Sequence, residues 1–309
     1  MELFKREIGK NKNNAVAIGT FDGLHIAHQV ILAQLKSAAE ALGGNAIVYT
    51  FYNVPAAFFA PTKKALFTKT EKVAAFQKTG IDYLDIHTFN ATLAKTPREA
   101  FADYLVDTLG AATVVVGYDF HFGANAAGDA RFLQAYLAKR RVAVEIIEEV
   151  DLDDIPISST YIRKALRIGD VTAAARMLGR PYSMAGEVVT GRKVGRTLGF
   201  PTINMEIPEE KLAPEYGVYA TEVIIAGKCY QGVTNIGLRP TVETRENVIC
   251  ETYLFDTEEN FYGKTAEVFF LQQIRREEKF SSLQALQEQI EKDKRAAQIY
   301  FANKKSSGE

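Results

Sequence analysis

The stretch AVAIGTFDGLHIAHQVILAQL, residues 15–35, joins a short apolar run to a helical pattern through a turn that contains two glycines. The apolar run is typical of a buried strand, and from Ile26 onward apolar residues return at helical spacing. A helix that begins at Ile26 is expected to end at Gly43 and Gly44, which are typical stop residues. Strand, turn and helix in this order predict one unit of a parallel α/β sheet.

The same alternation continues to about residue 180. Apolar runs at 45–51, 81–89, 112–120 and 142–150 predict further strands, and segments with helical periodicity separate them. Strands that alternate with helices favour a parallel sheet covered by helices on both faces. Ligands bind such sheets at the carboxyl ends of the strands. The two histidines of the opening stretch, at positions 25 and 28, follow the end of a strand and are therefore candidate ligand contacts.

A different pattern follows. Short apolar runs at even spacing between residues 182 and 270, separated by turn residues, predict an antiparallel barrel or sandwich. One helix closes the chain, with Ser281 and Gln284 as an expected capping box. Its apolar stripe comprises Leu283, Leu286, Ile290, Ala297 and Phe301. The predicted domains are therefore residues 1–180 and residues 181–309.

Composition narrows the class of protein. The chain has 309 residues, is 47% hydrophobic and 24% charged, and carries a formal net charge of −1. No basic field favours nucleic acid or an anionic membrane as a partner, and the charged N-terminus does not resemble a signal peptide. Cys229 and Cys250 could pair, but two buried thiols in a reducing compartment are the favoured interpretation. These features predict a cytoplasmic globular protein.

The segment GRKVGRTLGFPTIN, residues 191–204, combines glycines and basic residues before a predicted strand. Its glycines would let the backbone approach an anion closely. Thr202 and Asn204 alternate with Ile203, so their side chains are expected on one face of the strand, where a hydroxyl and an amide oxygen suit Mg²⁺. The alternative is a basic surface loop that leads into an edge strand.

Five segments resemble the riboflavin kinase module in the same order. They are GRTLGFPTIN (195–204), YGVYA (216–220), NIGLRPT (235–241), ETYLFD (251–256) and IRREEKF (274–280). In bacteria this module usually follows a flavin-nucleotide adenylyltransferase domain, and the chain resembles such a bifunctional riboflavin kinase/FAD synthetase. The resemblance implies a Rossmann-like nucleotidyltransferase domain followed by a small antiparallel kinase barrel with a C-terminal helix.

The resemblance also implies roles for residues of the second domain. Glu251 matches the catalytic base that accepts the proton of the riboflavin 5′-hydroxyl, and Thr202 and Asn204 match residues that hold Mg²⁺ and the ATP phosphates. The implied ATP-binding set comprises Gly191, Lys193, Gly195, Arg196, Gly199, Thr202 and Asn204. The implied flavin-binding set comprises Tyr219, Asn235, Gly237, Arg239, Pro240, Arg275 and Glu277. For Tyr219, an aromatic residue in a strand, a place in the core is the commoner role.

The opening stretch is similar to the adenylyltransferase motif GxFDGxHxGH, and ISSTYIRKAL (157–166) is similar to the family's ISSTxIR. A helix start offers free N–H groups and a partial positive charge, so histidines there suit a triphosphate. The implied nucleotide site comprises Gly19, Phe21, Asp22, His25, His28, Asp119, Ser158, Ser159, Thr160 and Arg163.

Three departures from the family pattern argue against an efficient adenylyltransferase. Ala27 replaces a glycine between the histidines, Asn53 and Val54 replace proline and histidine, and the uncharged residues 124–127 replace basic ones. Loss of such contacts costs about 1–3 kcal/mol each. The sequence therefore predicts a partly degenerate adenylyltransferase domain.

The main hypothesis from sequence is an enzyme that phosphorylates riboflavin with ATP and Mg²⁺ to give FMN. One alternative keeps both activities, so that FMN is then adenylylated to FAD. A second alternative is a non-catalytic flavin-binding regulator, although a binder needs neither the Glu251 carboxylate nor the Thr202 and Asn204 pair. Small molecules, riboflavin and ATP, are the expected partners.

Overall fold

The computed structural model describes residues 1–60, 62–191, 200–239, 247–257 and 259–306. Contacts divide the chain into two units, Met1–Ser159 and Thr160–Glu309. Residues 160–180, which the sequence assigns to the first domain, group with the second unit because their helices pack on its strands. Leu166 O accepts from Glu215 N at 2.8 Å, and Thr172 Oγ1 donates to Leu271 O at 3.4 Å. The domain boundary at residue 180 stays a prediction.

The first unit contains a parallel sheet and two short hairpins. Its strands are β1 (Glu2–Leu3), β2 (Asn14–Ile18), β3 (Ala46–Phe51), β4 (Tyr83–His87), β5 (Ala111–Gly117), β6 (His121–Phe122), β7 (Gly128–Asp129), β8 (Ala143–Ile147), β9 (Asp151–Leu152) and β10 (Ile155–Pro156). The sheet has the order β1-β4-β3-β2-β5-β8, with every neighbouring pair parallel. The parallel sheet predicted from the alternating pattern is therefore confirmed.

Helices cover both faces of this sheet, as predicted. They are α1 (Ile26–Leu42), α2 (Pro55–Phe59), α3 (Lys69–Gln77), α4 (Ala91–Ala94), α5 (Arg98–Asp107) and α6 (Ala130–Ala138). Alternate residues of β2 face opposite sides: Ala15 and Ala17 belong to the core cluster under α1, and Val16 and Ile18 to the cluster under α5 and α6. Helix α1 begins at Ile26 and ends at Gly43, whose φ of 57° is left-handed, which is where the stop signal placed its end.

The second unit is built mainly of antiparallel strands. Its elements are α7 (Ser159–Arg167), which starts on the last residue of the first unit, α8 (Val171–Leu178), β11 (Tyr182–Glu187), β12 (Thr202–Glu206), β13 (Gly217–Ile225), β14 (Lys228–Arg239), β15 (Asn247–Leu254), β16 (Thr265–Arg276) and α9 (Leu283–Ser306). The strands form one sheet with the order β11-β16-β13-β14-β15-β12. Val189, just beyond β11, bridges Asn204 of β12, so the two edges of the sheet meet and the sheet curls into a barrel.

Helix α9 lies against the outer face of this sheet. Its Ala297 and Phe301 are buried with Val218 and Val233. The cap differs from the prediction, because Ser282 rather than Ser281 accepts the Ala285 amide, at 3.1 Å. Leu283, predicted to belong to the buried stripe, is the first residue of the helix and is 66% exposed.

The two cysteines are free thiols. Cys250 is buried on β15, as the sequence predicts, whereas Cys229 on β14 is exposed, contrary to prediction. Cys229 follows the turn at Gly227, whose φ is 80°, and this end of the hairpin reaches solvent. Among the helices of the described residues, none combines the length and the apolar character that a membrane span requires.

Candidate active sites

The chain between β2 and α1, residues 19–25, forms a strained turn that is called here the β2–α1 turn. Phe21 and Leu24 adopt left-handed backbone conformations with φ of 47° and 44°, and both side chains are buried. Such conformations cost non-glycine residues about 1–3 kcal/mol each. A Cβ on Gly19 would come within 3.1 Å of the Phe21 ring, so a side chain there would have to displace the ring by a few tenths of an ångström. The turn therefore depends on surrounding contacts for its shape.

The predicted histidine pair lies where this turn enters α1. His25 is the N-cap residue, and its Nδ1 accepts the His28 amide at 3.4 Å. The two rings stack with centroids 3.5 Å apart and planes 18° apart. Burial lowers the pKa of His28 well below its ordinary value, and electrostatic interactions with His25 and Lys72 lower it further. His28 is therefore neutral at pH 7.

The Nδ1 atom of His28 is buried and has no hydrogen-bond partner within the described residues. Neutral imidazole carries one donor and one acceptor nitrogen. This orphaned ring atom lies at the start of α1, where free N–H groups and the helix dipole favour an anion. The geometry suits contact between the histidine pair and a phosphate chain.

Other predicted nucleotide-site residues support the same edge of the sheet. Asp22 is 1% exposed, and its carboxylate accepts the Leu66 and Phe67 amides at 2.9–3.1 Å. Ser159 Oγ donates to the Asp22 carbonyl at 2.9 Å. Asp119 is exposed and follows the carboxyl end of β5, which neighbours β2. The hydroxyl-bearing Ser158 is partly buried within this unit.

Two residues predicted for the nucleotide site fall in the second unit. Thr160 is exposed in the first turn of α7, and Arg163 is 4% exposed on the same helix. Helix α7 starts at Ser159, inside the ISST segment. The nucleotide role of both residues stays a prediction.

In the second unit, strand register gathers the candidate kinase residues into one polar row on the outer face. Asn204 of β12 pairs with Glu251 of β15, and Glu251 pairs with Asn235 of β14. Thr202, two residues before Asn204, faces the same way, and its hydroxyl donates to Glu251 Oε1 at 2.6 Å. Asn204 Nδ2 lies 3.4 Å from Thr202 Oγ1. Carboxylate, hydroxyl and amide are thus within hydrogen-bond reach of one another.

Two glycines from the predicted binding sets lie close to the side chains of this row. A Cβ on Gly191 would lie 2.5–2.7 Å from the Asn204 amide group. A Cβ on Gly237 would lie 2.8 Å from Glu277 Oε1 and 3.5 Å from Asn235 Nδ2. Glu277 and Asn235, both predicted flavin contacts, are therefore neighbours at the end of the row.

Tyr219, one of the predicted flavin contacts, is buried in the barrel interior. Strand alternation puts it on the inner face, since its neighbour Val218 pairs with Asn235 on the outer one. Tyr219 has no exposed surface, and its ring meets Phe270 edge-on, with centroids 5.4 Å apart. The alternative left open by the sequence, a core aromatic, is the one that this packing favours.

Arg275, another predicted flavin contact, is bonded to the C-terminal helix, and its flavin role stays a prediction. Its guanidinium makes hydrogen bonds of 2.8–3.1 Å to the Asp293 carboxylate of α9. Both side chains are largely buried, with 16% and 4% exposed. Gln289 Nε2 donates to the same carboxylate at 2.9 Å. Arg275 therefore ties α9 to β16 through Nε and Nη2, and its Nη1 donates to the Arg276 carbonyl at 3.0 Å.

Several predicted residues lie outside the described ranges. These are Lys193, Gly195, Arg196, Gly199 and Pro240. Arg239 is described only as the last residue of β14. Their roles stay predictions. In the described part of the chain, no three His, Cys, Asp or Glu side chains gather as a metal centre.

Comparison with known proteins matches each unit separately. Residues 7–161 match the family model described as FAD synthetase, and residues 178–301 match the model described as riboflavin kinase. The bifunctional riboflavin kinase/FMN adenylyltransferase of Pseudomonas fluorescens is 38% identical over 295 residues, which is 95% of this chain and 94% of that protein. The chain belongs to the bifunctional riboflavin kinase/FMN adenylyltransferase family.

Other members of the bifunctional riboflavin kinase/FMN adenylyltransferase family match over similar lengths. The Bacillus subtilis enzyme of that name is 36% identical, covering 97% of this chain and 96% of its own. A crystal structure titled as a macrolide-efflux protein from Streptococcus pneumoniae has a TM-score of 0.84 and 28% identity, covering 95% of this chain and 96% of that one. The shared fold thus extends over nearly the whole chain.

The residues that depart from the adenylyltransferase motif pack or make hydrogen bonds within the fold of this family member. Asn53 makes a reciprocal pair with the Phe89 backbone, donating to its carbonyl at 3.0 Å and accepting its amide at 2.8 Å. Val54 is buried at the start of α2, and Ala27 is partly buried in the first turn of α1. The loop at 124–127 holds Asn125 and Ala126 in left-handed conformations. The first three substitutions are accommodated in the fold by ordinary packing and hydrogen bonds.

The sequence did not predict two buried charged residues of this family member, Lys72 beside the β2–α1 turn and Asp293 beside Arg275. The sequence pattern around each of them could have indicated its burial. Lys72 lies one turn before the buried Phe76, and Asp293 one turn before the buried Ala297. A charged residue on the core-facing side of a helix implies a buried partner.

Proposed function

We propose that the second unit transfers the γ-phosphoryl group of ATP to the 5′-hydroxyl of riboflavin, giving FMN and ADP. The observation that supports this best is the polar row on the outer barrel face, where Glu251 lies beside Thr202 and Asn204. A partly buried carboxylate with a hydroxyl and an amide in register is the group of side chains that phosphoryl transfer requires. A flavin-binding regulator would not need it.

In this reaction Glu251 acts as the base. Its carboxylate already accepts the Thr202 hydroxyl at 2.6 Å, so it is oriented as a hydrogen-bond acceptor toward a second hydroxyl. The 5′-oxygen of riboflavin forms a bond to the γ-phosphorus while the bond between that phosphorus and the β,γ-bridging oxygen breaks. The hydroxyl proton passes to the Glu251 carboxylate, and ADP leaves.

The same row fits a hard divalent cation. The Thr202 hydroxyl and the Asn204 amide oxygen are ligands that Mg²⁺ accepts, and Asn204 is 8% exposed, so its amide is well fixed. Thr202 and Asn204 would hold the ion together with the ATP phosphates. Bound Mg²⁺ would neutralise charge on the β- and γ-phosphates. Gly191, which lies against the Asn204 amide, is the first residue of the predicted phosphate-binding segment.

We also propose that the first unit adenylylates FMN, joining the FMN phosphate to the α-phosphorus of ATP and releasing pyrophosphate. The stacked pair of His25 and His28 at the start of α1 favours this second activity. The departures predicted to weaken it leave that pair in place. Hydrogen bonds from the pair would stabilise the negative charge that develops on the leaving pyrophosphate. The fully bifunctional alternative is thus the one that this geometry favours.

The experiment is a time course with riboflavin, excess ATP and Mg²⁺, followed by chromatographic separation of the flavins. We expect FMN first and FAD later, and FAD directly when FMN is the starting flavin. Absence of FMN would contradict the kinase proposal and favour the regulator. FMN without FAD, even from an FMN start, would contradict adenylylation alone. A cytoplasmic location, where ATP is available, is part of the proposal.

A further inference from the structure

A buried lysine contacts the strained β2–α1 turn. Lys72 of α3 is 1% exposed, and its Nζ donates to Thr20 O at 2.7 Å and to Phe51 O at 2.6 Å. Thr20 lies inside the turn, and Phe51 is the last residue of β3. The ammonium group therefore joins the carboxyl ends of two neighbouring parallel strands at the edge that carries the histidines.

The turn also bonds the segment before α3, through Asp22. Its carboxylate accepts the amides of Leu66 and Phe67, which lead directly into the Thr68 cap of α3. Helix α3 thus bonds the turn through Lys72, and the turn bonds the segment before α3 through Asp22. These two residues are called here the latch. Because hydrogen bonds run both from α3 to the turn and from the segment before α3 to the turn, the turn cannot move without breaking one of them.

The turn needs such support because its backbone is strained. Phe21 and Leu24 are held at left-handed φ, and relaxed conformations of these residues would move the residues that follow. The next residue after Leu24 is His25, whose ring caps α1 and stacks on His28. A displacement of about 1 Å at a reacting group can cost about 100-fold in rate.

We propose that Lys72 and Asp22 are positioning residues for adenylyl transfer, which hold the β2–α1 turn so that His25 and His28 keep their stacked, helix-capping arrangement. The proposal rests on the adenylyltransferase activity proposed above for the first unit. In the proposed role, neither Lys72 nor Asp22 contacts the reacting atoms. Both act through the backbone of the turn.

The charges near the latch agree with this role. Burial lowers the pKa of Lys72 to about 8, and the Asp22 carboxylate acts in the opposite direction. Lys72 is therefore mostly charged at pH 7, and its charge helps to keep His28 neutral. A fixed positive charge beneath the turn also favours the anionic triphosphate.

The test compares Lys72→Met with Lys78→Met, a substitution of an exposed lysine at the end of the same helix. Three quantities are measured on each full-length protein. They are kcat and KM for FAD formation from FMN, the rate of FMN formation from riboflavin, and hydrogen exchange of peptides covering residues 19–28. FMN formation by the second unit serves as the folding control within the same chain.

We expect Lys72→Met to lower kcat for FAD formation about 10- to 100-fold. Hydrogen exchange is expected to rise in residues 19–28 but not in peptides from β4 or β5. FMN formation should stay at the wild-type rate, and Lys78→Met should match wild type throughout. Lys72→Gln, which keeps N–H donors without the charge, is expected to recover most of the exchange protection and part of kcat.

Wild-type kcat and wild-type exchange in Lys72→Met would overturn the proposal. Faster exchange throughout the first unit would also overturn it, because that result indicates a stability role rather than a positioning role. Wild-type protein that makes no FAD would refute the adenylyltransferase proposal instead. Exchange at residues 19–28 would then decide the latch by itself, with unchanged exchange in Lys72→Met overturning it.

Discussion

The two proposed sites of this chain are held in place by different means. In the first unit, the histidine pair depends on a strained backbone turn, a helix cap and two buried charges on either side of it. In the second unit, Glu251, Asn204 and Asn235 occupy successive strands in register, on an antiparallel sheet whose hydrogen bonds run through the site. The geometry of the first site depends on the conformation of the main chain, and that of the second on side chains aligned along a sheet.

This difference has a consequence for mutations. In the barrel, the hydrogen bonds between neighbouring strands fix the backbone conformation. A side chain can therefore be exchanged with mainly local effects. At the β2–α1 turn, residues that never meet a ligand determine where the histidines lie. We therefore expect distant substitutions to affect adenylylation more than phosphorylation.

The largest expected effect concerns the row of side chains. Glu251→Gln keeps the size of the side chain but removes the base, and kcat for FMN formation should fall about 10²- to 10⁴-fold. FAD formation from FMN should not change. Glu206→Gln, on the same pair of strands but exposed, serves as the control and should retain wild-type rates. Wild-type turnover by Glu251→Gln would show that another group takes the proton.

The next effect is on stability, at the contact between α9 and the barrel. Arg275→Met leaves the Asp293 carboxylate buried without its cation, which should lower the free energy of unfolding of the second unit by about 3–5 kcal/mol. Arg276→Met is the control, since Arg276 is 71% exposed and its ion pair with Glu215 should contribute under about 1 kcal/mol. Denaturant unfolding followed by circular dichroism measures both. A raised KM for riboflavin with unchanged stability would instead support the predicted flavin role of Arg275.

A smaller effect is expected at the turn. His28→Ala should lower the rate of FAD formation about 100-fold, because one hydrogen-bond donor to the developing pyrophosphate charge is lost. The rate of FMN formation in the same protein should be unchanged. If FAD formation in His28→Ala equals that of wild type, the histidine pair is only a structural cap of α1.

A further effect expected at the turn is a pH dependence of stability. The pKa of Lys72 is about 8 in the folded protein and 10.5 ordinarily, so between these values the unfolded chain binds a proton that the folded chain does not. Stability of the first unit should therefore rise with pH across that window through this residue. Unfolding of wild type and Lys72→Met at several pH values tests it. Their difference should change between about pH 8 and about pH 10.5, and a constant difference would contradict the buried charge.

Local pattern predicted most of the architecture because hydrophobic periodicity is a local property of the chain. The strand and helix of residues 15–42 follow directly from apolar spacing and the glycine stop. Thr202, Asn204 and Glu251 were also predictable individually, and alternation placed the first two on one face. The one-residue error at the α9 cap arose because Ser281 and Ser282 are both good caps, and only the fold selects Ser282.

The contacts that support each site could not be predicted, because they join residues distant in sequence. Nothing local distinguishes Tyr219 in the barrel interior from a tyrosine on its outer face, since one step in register exchanges the two. Arg275 meets Asp293 only after α9 folds back on β16, and Lys72 meets Thr20 and Phe51 only after two strands and α3 assemble.

The amino-acid sequence by itself determined that the chain forms a parallel α/β unit followed by an antiparallel barrel, and which residues carry its motifs. The tertiary structure alone decided that Glu251 lies beside Thr202 and that Lys72 lies beneath the β2–α1 turn. Periodicity is set by neighbours along the chain, whereas a buried charge is stable only where the completed fold supplies its partners.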